Sequence, residues 1–400
     1  MTDNKKIEEV LNRWTDKIYP SKEKFLKELG RRKLVIYHGV DPTAPDLHLG
    51  HSTNYLLLRK FQKLGHKIIL LIGDFTAQIG DPTGKLSVRK TLVKKQILEN
   101  CKTYKEQAGK ILDFESKTNP VEIEFNSKWL EKLNLKDILE LTAKFTQGKM
   151  IKRKMFQERI KKNQEIYLNE FLYPLLQGYD SVFLNVDAEV GGTDQTFNML
   201  VGRDLLKIYK NKEKFVITTP LLENPKTGKK LMSKSEGNYI SLRDLPKEMY
   251  GKIMALPDEA IIPVLKYCTE IPLGEIKGME KSLKEQRVNP KDLKTRLAKE
   301  IVKIYYDEKK SLAVEQEFEK VFKEKKLPTD IPEIKIKEKK LPILDFLIKT
   351  KLIPSKSEAK RLILQGGVKI DSRVQKDWRA VIEIKKGIII QVGKRRFVQI

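Results

Sequence analysis

Apolar residues recur along this chain with two different periods, and their alternation lays out a fold. The stretch "KLVIY" (33–37) is a short continuous apolar run that predicts a buried strand. "HLGHSTNYLLLRKFQKLG" then sets Leu49, Leu57, Leu58, Phe61 and Leu64 at helical spacing, with Gly65 suited to end the helix. "KIILLIGDF" is a second continuous apolar strand. Strand, helix and strand within about forty residues make a βαβ unit, which predicts a parallel sheet with helices on its faces. Such sheets bind ligands beyond the carboxyl ends of their strands. The segment joining the first strand to the first helix lies there.

The rest of the chain divides by the same reading. Residues 121–180 are mostly helical in pattern, through "SKWLEKLNLKDILELTAKF", the basic "GKMIKRKMFQERIKK" and "EIYLNEFLYPLLQGYD". They predict a helical insertion in an α/β domain spanning 1–222, which "FVITTPLL" closes as a late strand. Residues 223–325 predict a helical second domain; Asn289 serves one of its helices as N-cap and Pro290 takes the first helical position. A charged, proline-bearing stretch at 326–340 predicts a linker. Residues 341–400 predict a small α+β module: a short basic helix, a glycine stop, a strand, and a hairpin turning near Val392, Gly393 and Lys394. No internal repeat is visible.

Charge narrows the partners. The chain carries 80 Lys+Arg against 54 Asp+Glu, a net +26, and residues 341–400 alone carry 14 basic against 5 acidic residues. A surplus of this size on a globular chain suits a polyanion, nucleic acid above all. A charged thermophile surface would raise lysine and glutamate together and explains the imbalance less well. Two cysteines, Cys101 and Cys268, have neither metal-type spacing nor a disulfide pattern. With no apolar signal core at the start and no apolar run near the ~18 residues a bilayer needs, a soluble cytosolic protein is expected.

Three of the four histidines fall in "HGVDPTAPDLHLGH" (38–51). His48 and His51 stand three apart at a helix start, on one face, where unpaired backbone N–H groups and the helix dipole favour phosphate. Gly50 between them would let a flat base approach the backbone. A zinc pair would need a third ligand, and none is suggested nearby; ordinary surface histidines are the other reading. "KKLMSKSEGN" (229–238) packs Ser233, Lys234 and Ser235 into a polar loop, again suited to phosphate. On the "EFLYPLLQGYD" helix, Tyr173, Gln177 and Asp180 share a face, with Pro174 expected to start or kink it.

"HLGH" followed by "MSKS" resembles the paired signatures of class I aminoacyl-tRNA synthetases. "YHGVDPTAPDLHLGH", "GDFTAQIGDPTGK", "EFLYPLLQGYD" and "GGTDQTFN" are similar to the bacterial tyrosyl members in particular, and the last sixty residues resemble the S4-type RNA-binding module those enzymes carry. The resemblance covers nearly the whole chain. It implies a Rossmann-like domain, a homodimer, and a two-step reaction. L-tyrosine and ATP give tyrosyl-adenylate and pyrophosphate, and tRNA(Tyr) then accepts the tyrosine. Mg²⁺ would arrive with ATP, and no protein metal site or prosthetic group is expected.

The resemblance also implies roles residue by residue. Tyr37 and Asp180 would bind the phenol hydroxyl, and Asp81, Tyr173 and Gln177 the ammonium, with Gln195 on the tyrosine side. Gly192 and Asp194 would hold the ribose, and Asp41 and Thr43 the loop over the nucleotide. His48, Gly50, His51, Met232, Ser233, Lys234 and Ser235 would meet the nucleotide and its phosphates. Lys85 and Arg89 would close on pyrophosphate. In the C-terminal module Lys356, Lys360, Arg361, Lys369 and Arg373 are the expected RNA contacts. Three departures stand out: Leu231 replaces the usual lysine with Lys230 one place earlier, His38 and Asn54 occupy variable positions near the ribose, and Glu189 sits where some relatives have an amide. Rival readings are a tryptophanyl-type ligase, a non-catalytic RNA-binding paralogue, and another nucleotidyl transferase.

Overall fold

The computed structural model describes residues 2–83, 92–232, 239–323, 331–334, 336, 338–385, 387–393 and 396–400. Its first sheet comprises β1 (Ile18–Tyr19), β2 (Val35–Val40), β3 (Lys67–Ile72), β4 (Glu122–Phe125), β5 (Ala188–Gly192) and β6 (Phe215–Thr219), in the order β1-β6-β5-β2-β3-β4. All neighbours are parallel except the short β1, which runs antiparallel to β6. Five of the six residues of β3 are buried, as a strand covered on both faces requires. Between β2 and β3 runs the helix Leu49–Lys63. Strand β2 lies between β3 and β5, so chain order reverses there and a crevice opens at the carboxyl ends.

The structure departs from the sequence reading or refines it in four places. Residues 121–180 are not helical throughout: Glu122–Phe125 pairs with β3 as an edge strand before the helices begin. Its alternating "EIEF" has too few apolar residues to announce a strand. Of the two placements expected for Pro174, the start of its helix is ruled out: the helix runs Asn169–Leu184 with the proline inside. The basic stretch 149–162 is mostly helical, as expected, but two of its cations are buried. Arg159 is buried in an ion pair with Glu170 (2.5 Å), and Arg153 is buried with its Nη2 donating to Thr83 Oγ1 at 2.7 Å.

The fourth concerns domains. The chain forms two compact units, Met1–Leu312 and Ala313–Ile400. The helices after 223 therefore belong with the sheet. Buried polar contacts tie them there: Arg13 donates to the carbonyls of Leu265, Lys266, Thr269 and Ile271, and Ser52 is hydrogen-bonded to Tyr305. The expected linker is partly structured too, since Ile334 donates its N–H to the carbonyl of Gln399. Ile334 and Ile336 pack on the core of the second unit, which anchors a stretch whose charge suggested solvent.

In that second unit β7 (Lys340–Pro342) pairs with β10 (Val381–Glu383). A four-stranded antiparallel sheet joins β8 (Val368–Ile370), β9 (Arg373–Val374), β11 (Ile389–Val392) and β12 (Arg396–Gln399). The helices Ile343–Lys349 and Lys356–Leu364 contribute Phe346, Leu347 and Ile363 to one apolar core with Val368, Ile390 and Val398. Gly366 and Gly393 hold φ of +68° and +65° at the helix stop and the hairpin turn, conformations glycine adopts without strain.

Candidate active site

A cavity of about 330 Å³ lies at the carboxyl ends of β2 and β5, and of the residues expected there it gathers every one within the described chain. At one end the helix Leu49–Lys63 presents its N-terminus. His48 is the N-cap and accepts the Gly50 N–H on Nδ1 (3.1 Å), while His51 Nδ1 accepts the His48 N–H (3.0 Å). This is a capping box built from two imidazoles. A ring nitrogen that accepts a backbone N–H carries no hydrogen, so Nε2 carries it on both rings. His51 Nδ1 also lies 3.2 Å from the His48 carbonyl, a contact the other tautomer would make; the shorter, donor-defined bond decides for Nε2–H. Two imidazole N–H groups beside a helix N-terminus have the chemistry that suits phosphate oxygens.

Gly50 lines the cavity and also packs against the capping ring. A Cβ there would stand 2.9 Å from His48 Cε1 and 3.0 Å from its Nδ1, so the glycine makes room for the capping imidazole. Gly50→Ala is accordingly expected to lower ATP-dependent activity by about tenfold through a displaced His48, although alanine favours helix by up to ~1 kcal/mol. Steady-state kinetics beside thermal melting would check it; unchanged kinetics would show that the ring tolerates the shift.

The rim is polar. Asp194 is paired with Lys230 (Nζ–Oδ2 2.9 Å), and Asn54 accepts a hydrogen bond from Thr219 Oγ1 at 2.6 Å. Leu231, the departure from the usual lysine, is buried and donates its N–H to the carbonyl of Leu222 (2.8 Å). The cation beside Asp194 therefore comes from position 230. Met232 lines the cavity, as do Thr43 and Gly192. A Cβ on Gly192 would fall 2.7 Å from Asp194 Oδ1. Lys85, Arg89, Ser233, Lys234 and Ser235 lie outside the described residues. His38 gives Nδ1 to the carbonyl of Val190 at 2.8 Å, and burial lowers its pKa, so it stays neutral.

The other end is a buried polar slot. Asp81 accepts from Gln195 Nε2 (2.7 Å) and the Thr83 N–H (2.9 Å), and Tyr173 donates its hydroxyl to Asp41 Oδ2 (2.9 Å). Gln177 donates Nε2 to Glu189 (3.3 Å), leaving its Oε1 buried without a hydrogen-bond partner among the described residues. Asp180 is 2% exposed and accepts from Trp129 Nε1 (2.8 Å) and Asn126 Nδ2 (3.3 Å). Burial nonetheless pushes its pKa well above the carboxylate range. Tyr37 and Asp180 are not bonded to each other as a pair. The Tyr37 hydroxyl meets Ser181 Oγ at 2.8 Å, and Asp180 has Trp129 and Asn126 as its donors.

Several supporting groups were not foreseen: Asn126, Trp129 and Ser181, together with Gly73, which lines the cavity, and Lys214, which donates to Ser181 Oγ at 2.8 Å. A Cβ on Gly73 would come within 2.0 Å of Asp41 Oδ1, so "IGD" after β3 was the one available signal. The others sit in segments whose pattern says only helix or strand.

Comparison with known proteins places the chain. Residues 29–323 match the family model for class I tRNA synthetases (W and Y), and residues 323–400 match the C-terminal domain model of SYY-like tyrosine–tRNA ligases. Tyrosine–tRNA ligase 2 of Clostridium acetobutylicum is 44% identical over 380 residues, covering 95% of this chain and 93% of that one. The chain belongs to the tyrosine–tRNA ligases. Tyrosine–tRNA ligase of Thermotoga maritima is likewise 44% identical over 381 residues, covering 95% and 94%. Among solved structures, the C-terminally truncated mitochondrial tyrosyl-tRNA synthetase of Aspergillus nidulans aligns with a TM-score of 0.66 at 23% identity over 80% of this chain and 94% of that one. The Archaeoglobus fulgidus enzyme complexed with L-tyrosine aligns with a TM-score of 0.60 at 23% identity, covering 78% and 99%. These last two likenesses concern the fold of a ligase in this family.

Proposed function

We propose that the cavity activates L-tyrosine with ATP and passes the product to tRNA(Tyr), with Asp180 and Tyr37 reading the phenol hydroxyl. The observation that carries this reading is Asp180: a carboxylate buried among donors, beside a second hydroxyl, needs a ligand that both gives and takes a hydrogen bond. A phenol does so; an indole only gives, and a phenyl ring does neither. Asp81, Tyr173 and the carbonyl oxygen of Gln177 suit the ammonium. Gly192 and Asp194 suit the ribose, with Asp41, Thr43 and Met232 over the nucleotide.

The tyrosine carboxylate is already ionised at neutral pH and needs no base. Attack on the α-phosphorus then depends on alignment and on charge stabilisation. His48 and His51 supply donors to the phosphates, and Lys85, Arg89, Ser233 and Lys234 are assigned to the leaving pyrophosphate, with Ser235 closing the signature. Mg²⁺ enters with ATP. A terminal ribose hydroxyl of the tRNA next attacks the adenylate carbonyl. Amino-acid-dependent pyrophosphate exchange with tyrosine, phenylalanine and tryptophan tests the reading; exchange with tryptophan at or above the tyrosine rate would sink it.

The Ala313–Ile400 unit is assigned to tRNA. Lys356, Lys360, Arg361 and Arg373 are exposed, and Lys369 is half-buried. Lys360 Nζ stands 3.9 Å from the Trp378 ring, which holds it in place on the surface. Changing Lys360 and Arg361 to alanine together is expected to weaken tRNA(Tyr) binding several-fold and flatten its salt dependence by about one to two charges. Pyrophosphate exchange should not change; an unaltered salt slope would count against this surface. Function in the cytoplasm follows from this role, and no described helix is long and apolar enough to cross a membrane. A homodimer is proposed through the apolar face of the helical insertion, where Leu135 and Leu139 share one side of a helix and stand 75% and 60% exposed.

A further inference from the structure

Behind the amino-acid slot lies an ion pair that no motif announced. Lys214, just before β6, is wholly buried, as is Glu189 on β5. Lys214 Nζ bonds one carboxylate oxygen of Glu189 and donates to Ser181 Oγ at 2.8 Å. Ser181 Oγ in turn meets the Tyr37 hydroxyl at 2.8 Å, and the second oxygen of Glu189 accepts Gln177 Nε2 at 3.3 Å. Space for this has been cleared: a Cβ on Gly202 would stand 2.6 Å from Lys214 Nζ and 2.8 Å from Ser181 Oγ. Buried ion pairs contribute little to stability compared with apolar residues of like volume. An arrangement of this kind therefore calls for another role.

The chemistry of the two ends supplies one. An ammonium only donates and a carboxylate only accepts. Ser181 Oγ accepts from Lys214, which leaves its own hydrogen to give to the Tyr37 oxygen; in that arrangement Tyr37 directs its O–H onward. Lys214 and Gln177 each donate to a different oxygen of Glu189. Because Glu189 accepts the Gln177 amide N–H, Gln177 turns its Oε1 away, and this is the buried oxygen left without a partner. We propose that Lys214 and Glu189 are a positioning pair that fixes the hydrogen-bond polarity of the slot, making Tyr37 a donor to the phenolic oxygen and Gln177 an acceptor for the ammonium. The proposal rests on the tyrosine reading of the slot given above. Burial and the Glu189 and Asp180 carboxylates raise the Tyr37 pKa well above that of a free phenol, so its hydrogen stays in place.

The test uses the full-length protein and 4-aminophenylalanine, whose arylamine donates well and accepts poorly. The ratio of kcat/KM for tyrosine to that for 4-aminophenylalanine is measured by pyrophosphate exchange. Ser181→Ala cuts the chain while leaving the ion pair, and the double change Lys214→Met with Glu189→Gln removes the pair without stranding a charge. In both variants Tyr37 becomes free to turn and accept, so the ratio is expected to fall about tenfold with the KM for ATP unchanged. The double variant should also raise the KM for tyrosine, because Gln177 loses its fixed acceptor. A ratio within twofold of the parent in both variants overturns the proposal, as does an equal rise in the KM for ATP. Asp180→Asn is the control arm: if it leaves discrimination against phenylalanine intact, the slot reading fails and the proposal with it. If Asp180→Asn collapses discrimination while Ser181→Ala and the double variant do not move the ratio, only the proposal fails.

Discussion

Asp180→Asn is expected to lower kcat/KM for tyrosine activation by about 10²- to 10³-fold while moving the melting temperature little. The activity loss follows from replacing the acceptor of a buried, charge-assisted hydrogen bond, worth about 3–4 kcal/mol to a ligand whose hydroxyl has no water to turn to. The stability expectation has two opposed parts. Burial raises the Asp180 pKa in the folded state, so the folded protein holds this proton more tightly than the unfolded chain. Such a group adds its full stability below the unfolded pKa and loses it as pH climbs through the folded one. Above the folded-state pKa the ionised carboxylate is therefore a cost, which asparagine removes. Against that, Trp129 Nε1 and Asn126 Nδ2 both donate to Asp180, and an amide offers one acceptor oxygen where the carboxylate offered two. The same pKa direction predicts that the KM for tyrosine rises on acidification at a pH above the normal carboxylate range. Equal losses of melting temperature and activity in Asp180→Asn would assign the residue to folding instead. Discrimination against phenylalanine should shrink in step, because a slot built for a hydroxyl rejects its absence by leaving buried groups unpaired, as the tyrosyl enzymes themselves exemplify.

How much of this was legible in the sequence depends on the kind of residue. Strands β2 and β3 and the helix between them announce themselves because burial on two faces demands unbroken apolar runs, and "KIILLI" is one. Strand β4 does not, since an edge strand with alternating glutamates satisfies the sheet with little apolar content. The groups lining the cavity were legible chiefly because the short polar motifs that hold them resemble those of a known family. The supporting groups were not. Lys214 stands in "KNKEKF" among other lysines, and nothing in spacing distinguishes the buried one from the exposed Lys210. Trp129 and Asn126 reach Asp180 across more than fifty residues of chain, a juxtaposition only the fold creates. Gly50 shows a third case: the residue was noticed for the approach of a base, but the room it makes for the His48 ring could be seen only in the fold. The domain boundary near 222 failed for a related reason, because the contacts of Arg13 with carbonyls on the far helices are side-chain to backbone and leave no pattern in either segment.

His48 offers the other large effect, and two substitutions separate its two tasks. Its Nδ1 accepts the Gly50 N–H and caps the helix, while Nε2 carries the ring hydrogen, which the proposed function directs to a phosphate oxygen. Asparagine places a side-chain oxygen near the position of Nδ1 and is among the best N-caps. Glutamine places its amide nitrogen near Nε2 but reaches past the cap. His48→Asn is therefore expected to melt like the parent and to lose about 10²-fold in the rate of adenylate formation, the scale on which a single donor to a developing oxyanion counts. His48→Gln is expected to melt lower by about 1 kcal/mol of stability and to keep more of the rate than the asparagine variant. Single-turnover formation of tyrosyl-adenylate, measured beside thermal unfolding, distinguishes these outcomes. If the asparagine variant kept the full rate, the imidazole would be a cap alone, and phosphate binding would fall to the backbone N–H groups of the helix N-terminus with His51. If both variants lost rate and stability in the same proportion, the capping box itself would be the catalytic element, its rigidity holding the N–H groups toward the nucleotide.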